Sequence, residues 1–279
     1  MIKTQKQKSS ARKSSRIYPL NESYFDVIDC EEKAYFLGFL YADGCNHIKK
    51  GCVTLTLQEK DKEILIRLSK LLQPTKPLQH LKSSSGFKTN QSSYRLVLAS
   101  KHISKKLAFL GCVGNKTMLL EFPGENQVSK ELQRHFIRGY FDGDGCVGKH
   151  EASLVGTYNF CRKISEISEE IIGGKFYLRH KGNYPTSEII VNRRKARKFL
   201  HWIYGDSTIN LQRKYTKYKL QLQYEYDLKK LRLCAVEDCN TVQICKNLCQ
   251  YHYDQVRKNN MSYRLKNEVK WIEKCPDTQ

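Results

Sequence analysis

Two acidic residues, Asp43 and Asp144, stand 101 residues apart, each followed by a glycine and each closing a largely apolar stretch: YFLGFLYADG (35–44) and HFIRGYFDGDG (135–145). If these stretches are helices, both acids sit at C-terminal ends, where the helix dipole disfavours negative charge. A divalent cation would relieve that cost, and carboxylates are hard oxygen donors suited to Mg²⁺. Gly38 and Ala42 lie four apart, as do Gly139 and Gly143, so each helix carries a stripe of small residues. Such stripes let two helices approach backbone to backbone. The pattern predicts a helix pair with pseudo-twofold symmetry, Asp43 and Asp144 at adjoining tips, and Gly44 and Gly145 as left-handed caps. Asp142 lies two residues before Asp144 and points elsewhere on a helix. Its counterpart is Tyr41, so Asp144 is the expected ligand.

A second constellation lies near the C-terminus: Cys234-x4-Cys239-x9-Cys249-x2-His252. Two ligand pairs with short internal spacing are what tetrahedral Zn²⁺ requires. Cys245 is a fifth candidate that could displace one of the four. The run that follows, 255–267, is basic and suits contact with a polyanion.

Stepping outward from these residues, the chain reads as two similar passes. In the first, a helix closes at Gly44, and strands over 45–50 and 52–58 follow. A helix with Ile64, Leu65, Leu68 and Leu71 at helical spacing comes next, then a hairpin over 76–83 and 92–100 and a short helix over 101–111. The second pass starts near Glu131 and repeats the order, with helices over 158–172 and 194–205 and a hairpin over 175–192. Both read αββαββα, an internal repeat. The expected class is α+β, with antiparallel saddle-shaped sheets and a small C-terminal metal-binding module. The expected boundaries are a flexible basic arm over 1–20, repeats over 21–125 and 126–225, and a helical linker with the metal module over 226–279.

Hydrophobic residues make up 40% of the chain, enough for a core, and 49 Lys and Arg against 28 Asp and Glu leave a formal net charge of +21. A surplus of that size favours a polyanion, nucleic acid first, because each neutralised phosphate releases a counterion. The longest apolar run, 34–42, is too short to span a bilayer. The reading is a soluble, intracellular protein with no membrane partner. In such a compartment clustered cysteines favour a metal over disulfides.

FLGFLYADG (36–44) and IRGYFDGDG (137–145) resemble the two signature copies of single-chain LAGLIDADG homing endonucleases, and the likeness spans about residues 20–225. It implies paired helices at the domain interface and divalent metal, Mg²⁺ or Mn²⁺, at Asp43–Gly44 and Asp144–Gly145. It also implies sheets lying along the major groove of a long, pseudo-palindromic or asymmetric duplex target. The implied activity is hydrolysis of one phosphodiester per strand by a monomer encoded in a mobile element. A non-cleaving DNA-binding regulator or an intron-RNA maturase is the alternative on the same scaffold. The family's catalytic lysines match Lys116 and Lys214, with Arg213 a near alternative for the second. Gln58 and Asp61 could position water, though capping the following helix is the simpler role for Asp61. Base-contact candidates are Lys82, Arg95, Arg179, His180, Lys181 and Arg193. The departures are Tyr41 and Arg138; Arg138 suggests a helix face meeting solvent or phosphate.

Overall fold

The computed structural model describes residues 17–82, 92–114, 119–180, 186–231, 233–239, 241, 243–259, 264–265 and 268–271. The chain divides into two compact units, Met1–Tyr215 and Thr216–Gln279, and both repeats belong to the first.

Each repeat opens with a helix that is buried nearly all round. In α1 (Glu31–Asp43) every residue from Ala34 to Tyr41 is buried. In α4 (Lys130–Asp144) burial runs from His135 to Asp142. A helix without a solvent face belongs at the centre of a core, and these two pack on each other. In the first repeat β1 (Gly44–His47), β2 (Cys52–Gln58), β3 (Gln79–Lys82) and β4 (Ser92–Leu98) make an antiparallel sheet of order β1-β2-β4-β3. In the second, β5 (Gly145–Val147), β6 (Glu151–Thr157), β7 (Tyr177–His180) and β8 (Thr186–Asn192) repeat it as β5-β6-β8-β7. Alternation sets the faces: Val53, Leu55 and Leu57 of β2 turn inward, as do Ala152, Leu154 and Gly156 of β6. Helices α2 (Lys62–Leu72), α3 (Lys101–Phe109), α5 (Tyr158–Ile172) and α6 (Arg193–Tyr204) each bury one stripe, such as Ile64, Leu65, Leu68 and Leu72 in α2. The αββαββα order thus occurs twice.

Two local expectations fail. The strand predicted over 45–50 ends at His47, and Ile48–Lys50 form a 3-10 turn closed by Gly51 at φ 61°. Gly44 and Gly145 are not left-handed caps: their φ values are −71° and −87°, and each begins a strand. Glycine is needed there for space, since a Cβ would stand 2.6 Å from the Leu40 carbonyl oxygen at Gly44 and 2.4 Å from the Phe141 ring at Gly145.

Helix α7 (Gln212–Leu231) starts at the end of the first unit and continues into the second. The second unit also holds α8 (Gln250–Asn259) and a two-stranded ribbon, β9 (Arg264–Leu265) with β10 (Glu268–Trp271).

Candidate active site and metal centre

The glycine stripes carry the contact between α1 and α4. A Cβ on Gly38 would lie 2.0 Å from the Phe136 carbonyl oxygen, and one on Gly139 would lie 1.9 Å from that of Tyr35. The two contacts are the same one under the 101-residue offset, so the helix pair is pseudo-symmetric at the level of single atoms. Further along, a Cβ on Gly143 would meet the Ala42 Cβ at 2.2 Å and the Asp43 Oδ2 at 3.2 Å. The two tips therefore adjoin, with Asp43 and Asp144 exposed at their ends. Both carboxylates reach the same neighbours electrostatically: each helps to raise the Tyr140 pKa, which burial already pushes far up, and each favours the charged form of Lys214. A cleft of about 590 Å³ opens beside Asp144, lined by Tyr41, Gly44, Cys45, Tyr140 and Thr157 among others. The donors at the tips are exposed carboxylate oxygens shared between two helices, a hard set that fits Mg²⁺ or Mn²⁺.

Lys214 comes to this place from α7. It is buried, and its Nζ donates to the carbonyls of Phe141 (2.7 Å), Asp142 (2.7 Å) and Gly143 (3.2 Å). Those carbonyls belong to the last turn, the Phe141 one also accepting the Gly145 N–H, so the ammonium caps α4 and favours its dipole. Burial pulls its pKa down to about 8, against the opposing pull of Asp142, Asp43 and Asp144. Arg213, the alternative lysine position, is spent elsewhere, its Nε donating to Asp61 Oδ1 (3.0 Å) and Oδ2 (3.1 Å). This pair joins the second repeat to the first. Asp61 makes no side-chain cap on α2, so the expected capping role is replaced by the ion pair. Gln58 is exposed at the end of β2. Lys116 lies outside the described residues.

A buried polar network that the sequence reading passed over locks the second repeat. Asp142 is inaccessible and accepts hydrogen bonds from the hydroxyls of Tyr35 (2.8 Å) and Tyr204 and from the Leu211 N–H (2.7 Å). Burial pushes its pKa up against the pull of those three donors. Arg138 is also wholly inaccessible, not facing solvent or phosphate as expected. Its guanidinium donates to the carbonyls of Ile209 and Ile203, both at 2.9 Å, to His135 Nδ1 (3.0 Å) and to Glu31. Glu31 also accepts the Thr208 N–H at 2.9 Å, while Arg67 of α2 donates to the Thr208 carbonyl at 2.9 Å. Burial pushes the Glu31 pKa up, but the Thr208 bond and the Arg138 charge outweigh it and leave the group below the ordinary range. The one sequence signal for this network was a charged residue in the middle of an apolar helix stripe.

On the outer face of the sheets the basic candidates differ in company. Cross-strand register aligns Thr56, Arg95 and Gln79 in the first repeat and Val155, Glu188 and Arg179 in the second. Arg95 donates to Thr56 Oγ1 at 3.0 Å, whereas Arg179 is paired with Glu188 at 2.6 Å. Lys82 is exposed at the end of β3, and His180 stacks on Tyr158 with ring centroids 5.7 Å apart. Arg193 opens α6 with φ 51°. Lys181 and residues 1–16 of the basic arm lie outside the described residues.

In the second unit Cys234, Cys239, Cys249 and His252 converge, their ligand atoms all within 4.8 Å of one another. Cys245 is exposed and stands outside this group, in a bridge with Leu248. Three sulfurs and one imidazole are a borderline-soft set that fits Zn²⁺ and not a hard cation.

Comparison with known proteins bears on the second repeat most directly. Residues 131–204, from α4 to the end of α6, match the family model described as a LAGLIDADG-like domain. No curated protein sequence matches the chain. Among solved structures, full-length DUF199/WhiA from Thermatoga maritima is 14% identical with a TM-score of 0.44, over 73% of this chain and 64% of that one. The I-SmaMI LAGLIDADG homing endonuclease bound to cleaved DNA is 15% identical with a TM-score of 0.42, over 70% of this chain and 90% of that one. Variants of the homing endonuclease I-DmoI are 15% identical with a TM-score of 0.44, over 63% of this chain and 97% of that one. All three likenesses are distant. Among the described residues no helix is long and apolar enough to cross a membrane.

Proposed function

We propose that this chain is a site-specific DNA endonuclease that hydrolyses one phosphodiester on each strand of a duplex. The observation that carries the reading is the pair of exposed acids, Asp43 and Asp144, at the adjoining tips of two helices in backbone contact. The helix dipoles oppose a carboxylate at either tip. The net charge of +21 supplies attraction to the duplex.

In this reading Asp43 and Asp144, with the backbone at Gly44 and Gly145, would hold Mg²⁺ or Mn²⁺. The chemistry such an ion supplies is activation of water and neutralisation of the leaving oxygen. The chain's own residues set the geometry. The Gly38 and Gly139 contacts fix the spacing of the tips, and Lys214 holds the last turn of α4, so that Asp144 is presented from a rigid end. The exposed face of each sheet would lie on the duplex, with Arg95 and Lys82 its least encumbered cations. Arg179 would have to leave Glu188 before contacting a base.

The test is cleavage of a randomised duplex library by the purified protein with Mg²⁺ or Mn²⁺. Wild type should yield a discrete cut site, and Asp43→Asn and Asp144→Asn should each abolish double-strand breaks while retaining duplex binding. Undiminished cutting by both variants would refute the assignment. Specific binding without cleavage by wild type would select the second reading, a non-cleaving DNA-binding protein. The full engagement of Lys214 by helix carbonyls favours that alternative, since its protons are committed away from a phosphate. Retention of intron RNA in the same binding assay would identify a maturase-type partner.

A further inference from the structure

We propose that residues 234–259 are a zinc-dependent folding module, with Zn²⁺ held by Cys234, Cys239, Cys249 and the Nδ1 of His252. This stands independently of the nuclease reading. With Zn–S near 2.3 Å and Zn–N near 2.0–2.1 Å, a regular tetrahedron puts ligand atoms roughly 3.5–3.8 Å apart. The structure places Cys239 Sγ and Cys249 Sγ at 3.9 Å, and His252 Nδ1 at 3.2 Å from Cys234 Sγ and 3.3 Å from Cys249 Sγ. These are three of the six edges of one coordination polyhedron, and all four ligand atoms lie within 4.8 Å of one another.

The backbone around the site is built for it. Asp238, Lys246 and Asn247 all take positive φ, 63°, 47° and 63°, so both turns that deliver cysteines contain left-handed non-glycine residues. Such residues persist only where their surroundings hold them. The Cys239 N–H closes one turn on the Val236 carbonyl at 3.1 Å, and the Leu248 N–H closes the other on Cys245 at 2.8 Å. Cys249 then leads directly into α8, which carries His252 in its first turn.

The remaining core is too small to do this alone. Among the described residues its apolar cluster is Val236, Leu248 and Val256 with Tyr253, and the other members are the ligand cysteines themselves. A cluster of that size cannot offset the conformational entropy lost in ordering more than twenty residues. A bound metal can, because in such modules binding free energy is folding free energy. Four protein ligands leave no open position, so the metal's role is structural.

The full-length chain tests this. It should purify with one zinc ion, and Cys239→Ser and His252→Ala should weaken zinc by more than the roughly 10–100-fold lost with an outer-shell partner. Cys245→Ser should keep it. Because a ligand variant could misfold broadly, the wild-type chain is also stripped with a chelator. Stripping should open residues 234–259 to protease while cooperative unfolding of the first unit is retained, and added zinc should restore protection. Cobalt substitution should give the absorption of a tetrahedral thiolate site. The proposal is overturned if the reconstituted chain holds no zinc, if Cys245→Ser loses it as Cys239→Ser does, or if stripping leaves protection unchanged.

Discussion

Three residues before the glycine that follows each helix, the two repeats use different chemistry: Tyr41 in the first, Asp142 in the second. The Tyr41 hydroxyl donates to the Leu110 carbonyl, while Asp142 accepts the Leu211 N–H and two tyrosine hydroxyls. Both side chains tie a helix tip to the segment after the third helix of their repeat, with donor and acceptor exchanged. One helical turn earlier the contrast recurs, with Leu37 apolar and buried where its counterpart Arg138 carries a charge. In the first repeat the polar lock sits instead on β1. There Asn46 donates to the Ser104 and Cys112 carbonyls, both at 2.9 Å, and accepts from the Ser104 hydroxyl at 2.6 Å. A duplicated backbone thus tolerates different interior polar groups, provided that each buried donor and acceptor finds a partner. It keeps glycine at Gly38 and Gly139, where a side chain would meet the facing backbone.

That contrast can be broken most decisively at the shared contact. Gly38→Ala and Gly139→Ala each place a methyl group inside van der Waals range of a backbone carbonyl. Both should cost more than about 4 kcal/mol, or abolish cooperative unfolding, and by similar amounts. Unequal effects in urea denaturation would mean that the interface is not symmetric. Asp142→Ala comes next, at about 3–5 kcal/mol, because it strands buried donors from both repeats. Tyr41→Phe should cost only about 1 kcal/mol, since it removes one hydrogen bond. Equal losses in those two variants would show that the repeats are locked alike.

The smallest effect concerns pH. Burial, reinforced by the Arg138 charge, holds His135 down at about 4 against an ordinary 6.5. The folded state then binds fewer protons than the unfolded state between these values, so stability rises with pH there. This contribution is complete above about pH 6.5 and is lost as pH falls toward 4. His135→Gln should flatten the change in urea midpoint between pH 7 and pH 4.5; an unchanged slope would place the acid sensitivity elsewhere.

Much of the frame was legible in the residues. The stripes of Gly38, Ala42, Gly139 and Gly143 announced a close helix pair because only small side chains permit that approach. Strand alternation and helix periodicity gave the αββαββα order twice. The spacing of Cys234, Cys239, Cys249 and His252 singled out the four residues that converge, while Cys245 stayed open in the sequence and was separated only by its exposed position in a turn. The caps were misread, because an Asp-Gly pair suits a left-handed residue as well as a strand start, and only the crowding at Leu40 and Phe141 distinguishes them. Asp61 was misread for a similar reason: its local role as a cap was displaced by Arg213, 152 residues away.

The sequence by itself determined the repeat, the helix stripes, the acids at their ends and the four candidate zinc ligands. All are set by local spacing and by the volume of a side chain. Only the tertiary structure decided where buried charge is compensated: Arg138 on Glu31, Asp142 among Tyr35, Tyr204 and Leu211, and Lys214 on the last carbonyls of α4. Those pairings join residues that no periodicity links. A buried charge is stable beside whichever partner the fold delivers, and the fold is fixed by the whole chain.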